Sequence, residues 1–127
     1  MKAKPKIFIC PLDWGIGHAT RCVPLIRELV EQQAEVVLGA SGRSFDFLKR
    51  EFPGLQLIDF PGYTFSYPTK GSMALMMLKQ SPRLINDIKK EHLALERLVE
   101  EHKFDAVISD NRFGAYSEKV PSVFMTH

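Results

Sequence analysis

The sequence predicts an α/β domain built on a doubly wound parallel sheet of about five strands. Three observations carry that prediction. Short apolar runs alternate with amphipathic stretches along the chain. Each run is apolar throughout rather than at every second position, as expected of strands covered on both faces. A glycine turn, Gly15-Ile16-Gly17, joins the first apolar run to the first amphipathic stretch, where a strand passes into a crossover helix.

The elements follow in order. "KIFICPL" (6–12) is short, apolar and bounded by Pro5 and Asp13, and reads as a buried strand. From His18 to Gln33, Cys22, Val23, Leu25, Ile26, Leu29 and Val30 recur at helical spacing. Pro24 falls beyond the first turn of that helix and is expected to kink it. "EVVLGA" (35–40) is a second buried strand, and "SFDFLKREF" (44–52) a short helix stopped by Pro53 and Gly54. "LQLIDF" (55–60) is a third strand. "PGYTFSYPTKGS" (61–72) is turn-rich, and "MALMMLK" (73–79) helical.

Ser81-Pro82 is expected to restart a long helix, with Ser81 as N-cap and Pro82 at the first helical position. Ile85, Ile88, Leu95, Leu98 and Val99 form its apolar face. "DAVISD" (105–110) is a fourth strand, "GAYSEK" a short helix, and "PSVFMT" (121–126) a fifth strand. Right-handed crossovers then give an open Rossmann-like sheet, with strand four beside strand one. The chain stops directly after strand five, where a closing helix is expected. It therefore reads as a fragment, or as one domain cut from a longer protein.

Composition narrows the function classes. A chain of 127 residues, 45% hydrophobic and 25% charged, is long enough for one domain with a hydrophobic core and too apolar for disorder. The net charge of +2 is small and its basic residues are scattered, which argues against nucleic acid as a partner. Cys10 and Cys22 form no CxxC pair, and the histidines are not spaced around them as zinc ligands. They read as buried thiols in a reducing compartment, and no metal is expected. The apolar stretch before Asp13 is too short for a signal peptide. No segment approaches the ~20 apolar residues needed to span a bilayer. A cytoplasmic, soluble domain is the expectation.

In such a sheet, ligands bind beyond the carboxyl ends of the strands. "DWGIGH", "GYTFSYP" and "DNRFG" fall there. Gly15 and Gly17 let the backbone turn sharply and leave room for a ligand against the main chain. The helix start offers free N–H groups and a positive dipole end. A plain strand-to-helix turn is the simpler reading. A dinucleotide fingerprint is weak here: the pattern runs Gly15-x-Gly17-x-x-Thr20, and strand two ends in Gly39-Ala40-Ser41 without an acid for a ribose. The Lys-Ser/Thr pair of a phosphate loop is absent.

Two side chains distinguish the turn. Arg21 opposes the positive end of the helix dipole, and no acid from His18 to Val23 offsets it. It faces an incoming anion, or else solvent or Asp13. For His18 the dipole disfavours imidazolium, and a neutral imidazole can accept a proton as a general base must. A packing or capping role is the alternative. A base histidine needs an orienting partner. Asp110 ends strand four beside strand one and is the candidate, unless it is a solvated acid or a cap.

These residues resemble a known family. "GIGHATRCVPLIREL" resembles the first glycine turn and helix in the amino-terminal domain of GT-B glycosyltransferases. The group meant includes the enzyme that adds N-acetylglucosamine to lipid-linked muramyl peptide and the related UDP-sugar transferases. The matching positions are Gly15, Gly17, His18 and Pro24. "FDAVISDNRFGAYSEKVPSVFMTH" resembles the later strand-helix-strand unit. "DWGIGH" is poorer in glycine than the turn of the muramyl enzyme.

The resemblance implies the acceptor half of a two-domain enzyme, with the donor half outside this chain. It implies that His18 deprotonates an acceptor hydroxyl, supported by Asp110. The alkoxide then displaces a nucleoside diphosphate with inversion and without a metal. No cofactor is implied, only a nucleotide-sugar co-substrate, UDP-linked by the resemblance. The acceptor is a glycan or a lipid-linked sugar, which places the protein in the cytoplasm or at the inner face of the membrane.

Other residues are secondary candidates. Tyr63, Phe65 and Tyr67 stack on an acceptor sugar or pack beneath their loop. "MALMML" offers adaptable apolar contact to an acyl chain, a membrane surface or a partner, or packs into the core. Asn111 and Arg112 follow Asp110 and are candidate acceptor contacts or a solvated loop. His127 lies beyond strand five, near the expected cleft. Two other readings stay open: a UDP-sugar epimerase-like enzyme on the same scaffold, and a freestanding anion- or small-ligand-binding module without catalysis.

Overall fold

The computed structural model describes residues 4–12, 16–61 and 73–126, the side chains of 73–81, 83 and 84 excepted. Eight elements follow one another: β1 (Lys6–Pro11), α1 (Gly17–Glu31), β2 (Glu35–Ala40), α2 (Gly42–Glu51), β3 (Gln56–Asp59), α3 (Met73–His102), β4 (Ala106–Asp110) and β5 (Ser122–Met125). The strands form one sheet in the order β3-β2-β1-β4-β5. Every pairing is parallel. The expected doubly wound, Rossmann-like sheet is therefore the observed one, with β4 beside β1.

Side-chain parity splits the core into two layers, one on each face of the sheet. On one face Phe8, Cys10, Val37 and Val107 pack with Leu95 and Val99 of α3. Phe8 stacks on Phe104 at 4.7 Å between ring centroids and meets Phe60 edge-on at 5.6 Å. On the other face Ile9, Val36 and Leu38 pack with Ala19, Cys22 and Ile26 of α1 and Leu48 of α2. Register pairs Cys10 with Ser109 and Pro11 with Asp110. Asp110 thereby shares a face with Ile108, which packs with the α1 layer.

Three expectations need correction. α3 runs through Pro82 as one helix of 30 residues instead of restarting at Ser81. An interior proline removes one backbone hydrogen bond and crowds the preceding turn. The strong helix formers on both sides, "MALMMLKQ" and "RLINDIKK", carry the helix across it. Pro24 lies inside α1, where the sequence places it. The apolar face of α3 also differs: Ile85 is exposed, and Glu91 is buried between Ile88 and Leu95.

"GAYSEK" forms no helix; residues 111–121 are a loop. Side chains take the backbone groups that a helix would have used. The N–H of Ser117 donates to Ser122 Oγ at 2.8 Å, that of Glu118 to Glu96 Oε2 at 3.1 Å, and that of Lys119 to Ser117 Oγ at 3.0 Å. Gly114 lies so close to α3 that a Cβ there would collide with the Ile88 carbonyl and the Glu91 side chain. β5 is the edge strand beyond this loop, with Val123 and Phe124 exposed.

Among the described residues, no helix is long and apolar enough to cross a membrane.

Candidate functional site

The site lies where β1 and β4 end and α1 begins. The N–H of Leu12 donates to the Asp110 carbonyl at 3.0 Å and ties the two strand ends together. α1 opens at Gly17 after Ile16, which has no side chain able to cap it, and no acid occupies the first turn. Thr20 closes that turn, its hydroxyl donating to the Gly17 carbonyl at 2.8 Å. Among the described residues, no side chain of the N-cap position satisfies the first-turn N–H groups.

His18, on this first turn, reaches Asp110 across the sheet edge. Its Nδ1 lies 3.0 Å from Asp110 Oδ2, with the histidine side chain 18% exposed and the aspartate fully buried. The local fold explains the meeting. Asp110 is the last residue of β4, and strand parity turns it toward the α1 layer. His18 is the second residue of a helix that packs on that layer. A carboxylate at Nδ1 favours the tautomer with the proton there, which leaves Nε2 as the basic nitrogen.

A third side chain joins them. Cys22, one turn after His18, places Sγ 3.9 Å from the same Asp110 Oδ2. Burial pushes its thiol up to about 12, and the Asp110 charge pushes in the same direction. Burial does the same to Cys10, whose thiol also rises to about 12 and donates to the Ile108 carbonyl at 3.7 Å. Both remain protonated thiols, donors rather than nucleophiles. The i, i+4 spacing of His18 and Cys22 was the available signal in the sequence.

Gly17 sits beside the pair with an ordinary backbone, and among the described residues a Cβ built on it would meet nothing within 4 Å. The packing of the described residues therefore does not require glycine there. Arg21 is exposed on the next turn. Asn111 follows Asp110 in the left-handed region, with φ of 58°, and its N–H donates to the Met125 carbonyl at 2.9 Å.

Arg112 is not on the surface of the site. It is fully buried, with Nε 2.7 Å from Glu91 Oε1 of α3 and its guanidinium 4.2 Å from the Phe60 ring centroid. Its expected contact with an acceptor is replaced by an interior ion pair. Gly15, Tyr63, Tyr67 and His127 lie outside the described residues, as do Asp13 and Phe65. An apolar cavity of about 250 Å³ beside β5 is lined by Phe113, Tyr116, Val123 and Phe124, and does not include His18 or Asp110.

Among the described residues, one cluster elsewhere has ligand-type side chains. His92, Glu96 and Glu118 bring their polar atoms within 4.8 Å of one another. Their hydrogen bonds serve the fold. His92 Nδ1 lies 2.9 Å from the Tyr116 carbonyl, and Glu96 holds the Ser117 hydroxyl and the Glu118 N–H. The cluster clasps the 111–121 loop onto α3.

Comparison with known proteins agrees with this fold. The pattern of glycosyl transferase family 1 matches residues 7–122. No curated protein matches at the sequence level. Among solved structures, the glycotransferase of kitacinnamycin superposes with a TM-score of 0.66 at 20% identity, over 98% of this chain and 31% of that one. Acinetobacter baumannii MurG gives 0.61 at 13% identity, over 96% and 35%. Arabidopsis thaliana UGT89C1, solved with UDP-L-rhamnose, gives 0.60 at 14% identity, over 95% and 35%. At these identities the likeness shows the fold, which is one half of the GT-B architecture. The chain spans about a third of the length of those structures. With the family pattern covering nearly all of its sheet, the chain belongs to glycosyl transferase family 1.

Proposed function

We propose that this chain is the acceptor-binding half of an inverting, nucleotide-sugar-dependent glycosyltransferase. The observation that carries the reading is the 3.0 Å approach of His18 Nδ1 to Asp110 Oδ2 at the carboxyl edge of the sheet. Asp110 holds the imidazole with its proton on Nδ1, and Nε2 takes the proton of an acceptor hydroxyl. The acceptor oxygen forms a bond to the anomeric carbon as the bond from that carbon to the diphosphate oxygen breaks. The nucleoside diphosphate leaves with the electron pair, and the anomeric configuration inverts. Asp110 stabilises the imidazolium formed.

Gly17 leaves space for the acceptor against the helix start, and Asn111 and Arg21 are acceptor-side contacts at its rim. A second domain beyond this chain supplies the donor site. UDP is the nucleotide proposed, because UGT89C1 of the same fold was solved with UDP-L-rhamnose. No residue described here is assigned to a metal or cofactor in this reaction. The protein acts in the cytoplasm or at the inner face of the membrane, on a glycan or lipid-linked sugar.

The test uses the full-length protein. Nucleotide-sugars are screened against sugar and lipid-linked acceptors, following nucleoside diphosphate release and the configuration of the product linkage. Release that depends on acceptor, with inversion, supports the reading. Sugar isomerisation without an acceptor points to an epimerase, and retention removes the single-displacement mechanism.

A further inference from the structure

We infer that Cys22 is a positioning residue, whose thiol holds the Asp110 carboxylate in the orientation that presents Oδ2 to His18. The inference deepens the proposed function and rests on it for its catalytic consequence, but the contact itself is independent of any activity.

The geometry is specific. Two donors from one face of α1, one turn apart, converge on one carboxylate oxygen. His18 Nδ1 is 3.0 Å from Asp110 Oδ2 and Cys22 Sγ is 3.9 Å from it. Cys22 and Asp110 are buried, so solvent does not compete with the contact. With its thiol pushed up to about 12 by burial, Cys22 is a donor at any physiological pH and brings no second negative charge to the carboxylate. An S–H···O contact is individually weak. Its effect here is on orientation: a carboxylate rotates about its last bond, and a second donor on Oδ2 restricts that rotation. The neighbouring thiol of Cys10 is engaged with the Ile108 carbonyl.

Function depends on this through the tautomer of His18. If the carboxylate turns away, Nδ1 loses its acceptor and the proton redistributes toward Nε2. In that form the ring has no basic nitrogen facing the acceptor. Cys22→Ala removes the donor with little change of volume, and Cys22→Ser restores one. Cys22→Val fills the space without a donor and separates packing from hydrogen bonding.

The experiment measures the nitrogen chemical shifts of His18 by NMR in the full-length protein, together with kcat and KM for the acceptor. The His18 resonance is assigned by its loss in His18→Gln. The expected result is a fall in the Nδ1–H tautomer in Cys22→Ala and Cys22→Val. kcat falls about 3- to 10-fold with KM unchanged, an effect confined to the chemical step. Cys22→Ser recovers both readings. An unchanged tautomer in folded Cys22→Ala or Cys22→Val overturns the inference, whatever the activity. A changed tautomer together with full activity in His18→Ala supports the positioning role and instead removes His18 as the base.

Discussion

Asp110 and Arg112 are separated by a single residue and serve opposite faces of the sheet. Asp110 meets His18 and Cys22 of α1, whereas Arg112 meets Glu91 of α3 and the ring of Phe60. Asn111, with φ of 58°, makes the turn between them. The end of β4 is thus pinned from both sides. The Ser109 hydroxyl adds to this by accepting from the Arg112 N–H at 3.1 Å and donating to its carbonyl at 2.8 Å.

The buried Arg112–Glu91 pair is expected to dominate the stability of this corner. Removing one partner leaves an uncompensated interior charge, which costs about 3–5 kcal/mol. Arg112→Met and Glu91→Gln are each expected to destabilise on that scale. Arg112→Met combined with Glu91→Leu is expected to cost less than the sum of Arg112→Met and Glu91→Leu made separately. Urea unfolding of the single and double variants checks this, and strict additivity contradicts it.

Two glycines, Gly17 at the site and Gly114 against α3, are expected to behave differently. Gly17→Ala meets open space on an ordinary helical backbone. Its stability is expected to change by no more than ~0.5–1 kcal/mol, in the favourable direction. In the full-length protein the added methyl occupies ligand space, and kcat/KM for the acceptor is expected to fall about 10-fold or more. Gly114→Ala drives a methyl into the Ile88 carbonyl and Glu91, and is expected to destabilise by ~1–3 kcal/mol. Thermal unfolding and acceptor kinetics on both variants separate the cases.

The loop clasp carries a pH signature. Burial pulls Glu96 upward, but the Ser117 hydroxyl, the Glu118 N–H and the charges of His92 and Lys119 outweigh it. The carboxyl ends below its ordinary value of 4.5. A carboxylate lowered on folding stabilises the protein above its unfolded value and loses that contribution as pH falls through the folded one. Glu96→Gln is therefore expected to destabilise above about pH 4.5. The difference from wild type should shrink as pH is lowered further. Urea unfolding from pH 7 to pH 3 checks the trend, and a difference independent of pH contradicts it.

Much of the architecture was legible because it depends on local patterns. Continuous apolar runs marked all five strands, and the crossover rule placed Asp110 beside the start of α1. The errors were tertiary. Nothing local distinguishes "GAYSEK" from a short helix, since Gly114 is pressed on α3 and Ser117 is captured by Glu96, a residue on another element. Pro82 looked like a helix start because proline favours that position, yet its neighbours carry the helix through. Arg112 looked like a loop contact, although Glu91 on the apolar stripe of Ile88 and Leu95 already signalled a buried cation partner. The i, i+4 spacing puts Cys22 on the same helix face as His18, but its contact with Asp110 is tertiary and has no local signal.

In the proposed reaction His18 is the base and Asp110 its support. The most direct measurement is kcat of the full-length protein with His18→Ala, with the fold verified by circular dichroism. A loss of about 100-fold or more is expected, the scale of a missing general base, and Asp110→Asn should show a related loss. Activity close to wild type in His18→Ala would contradict the account.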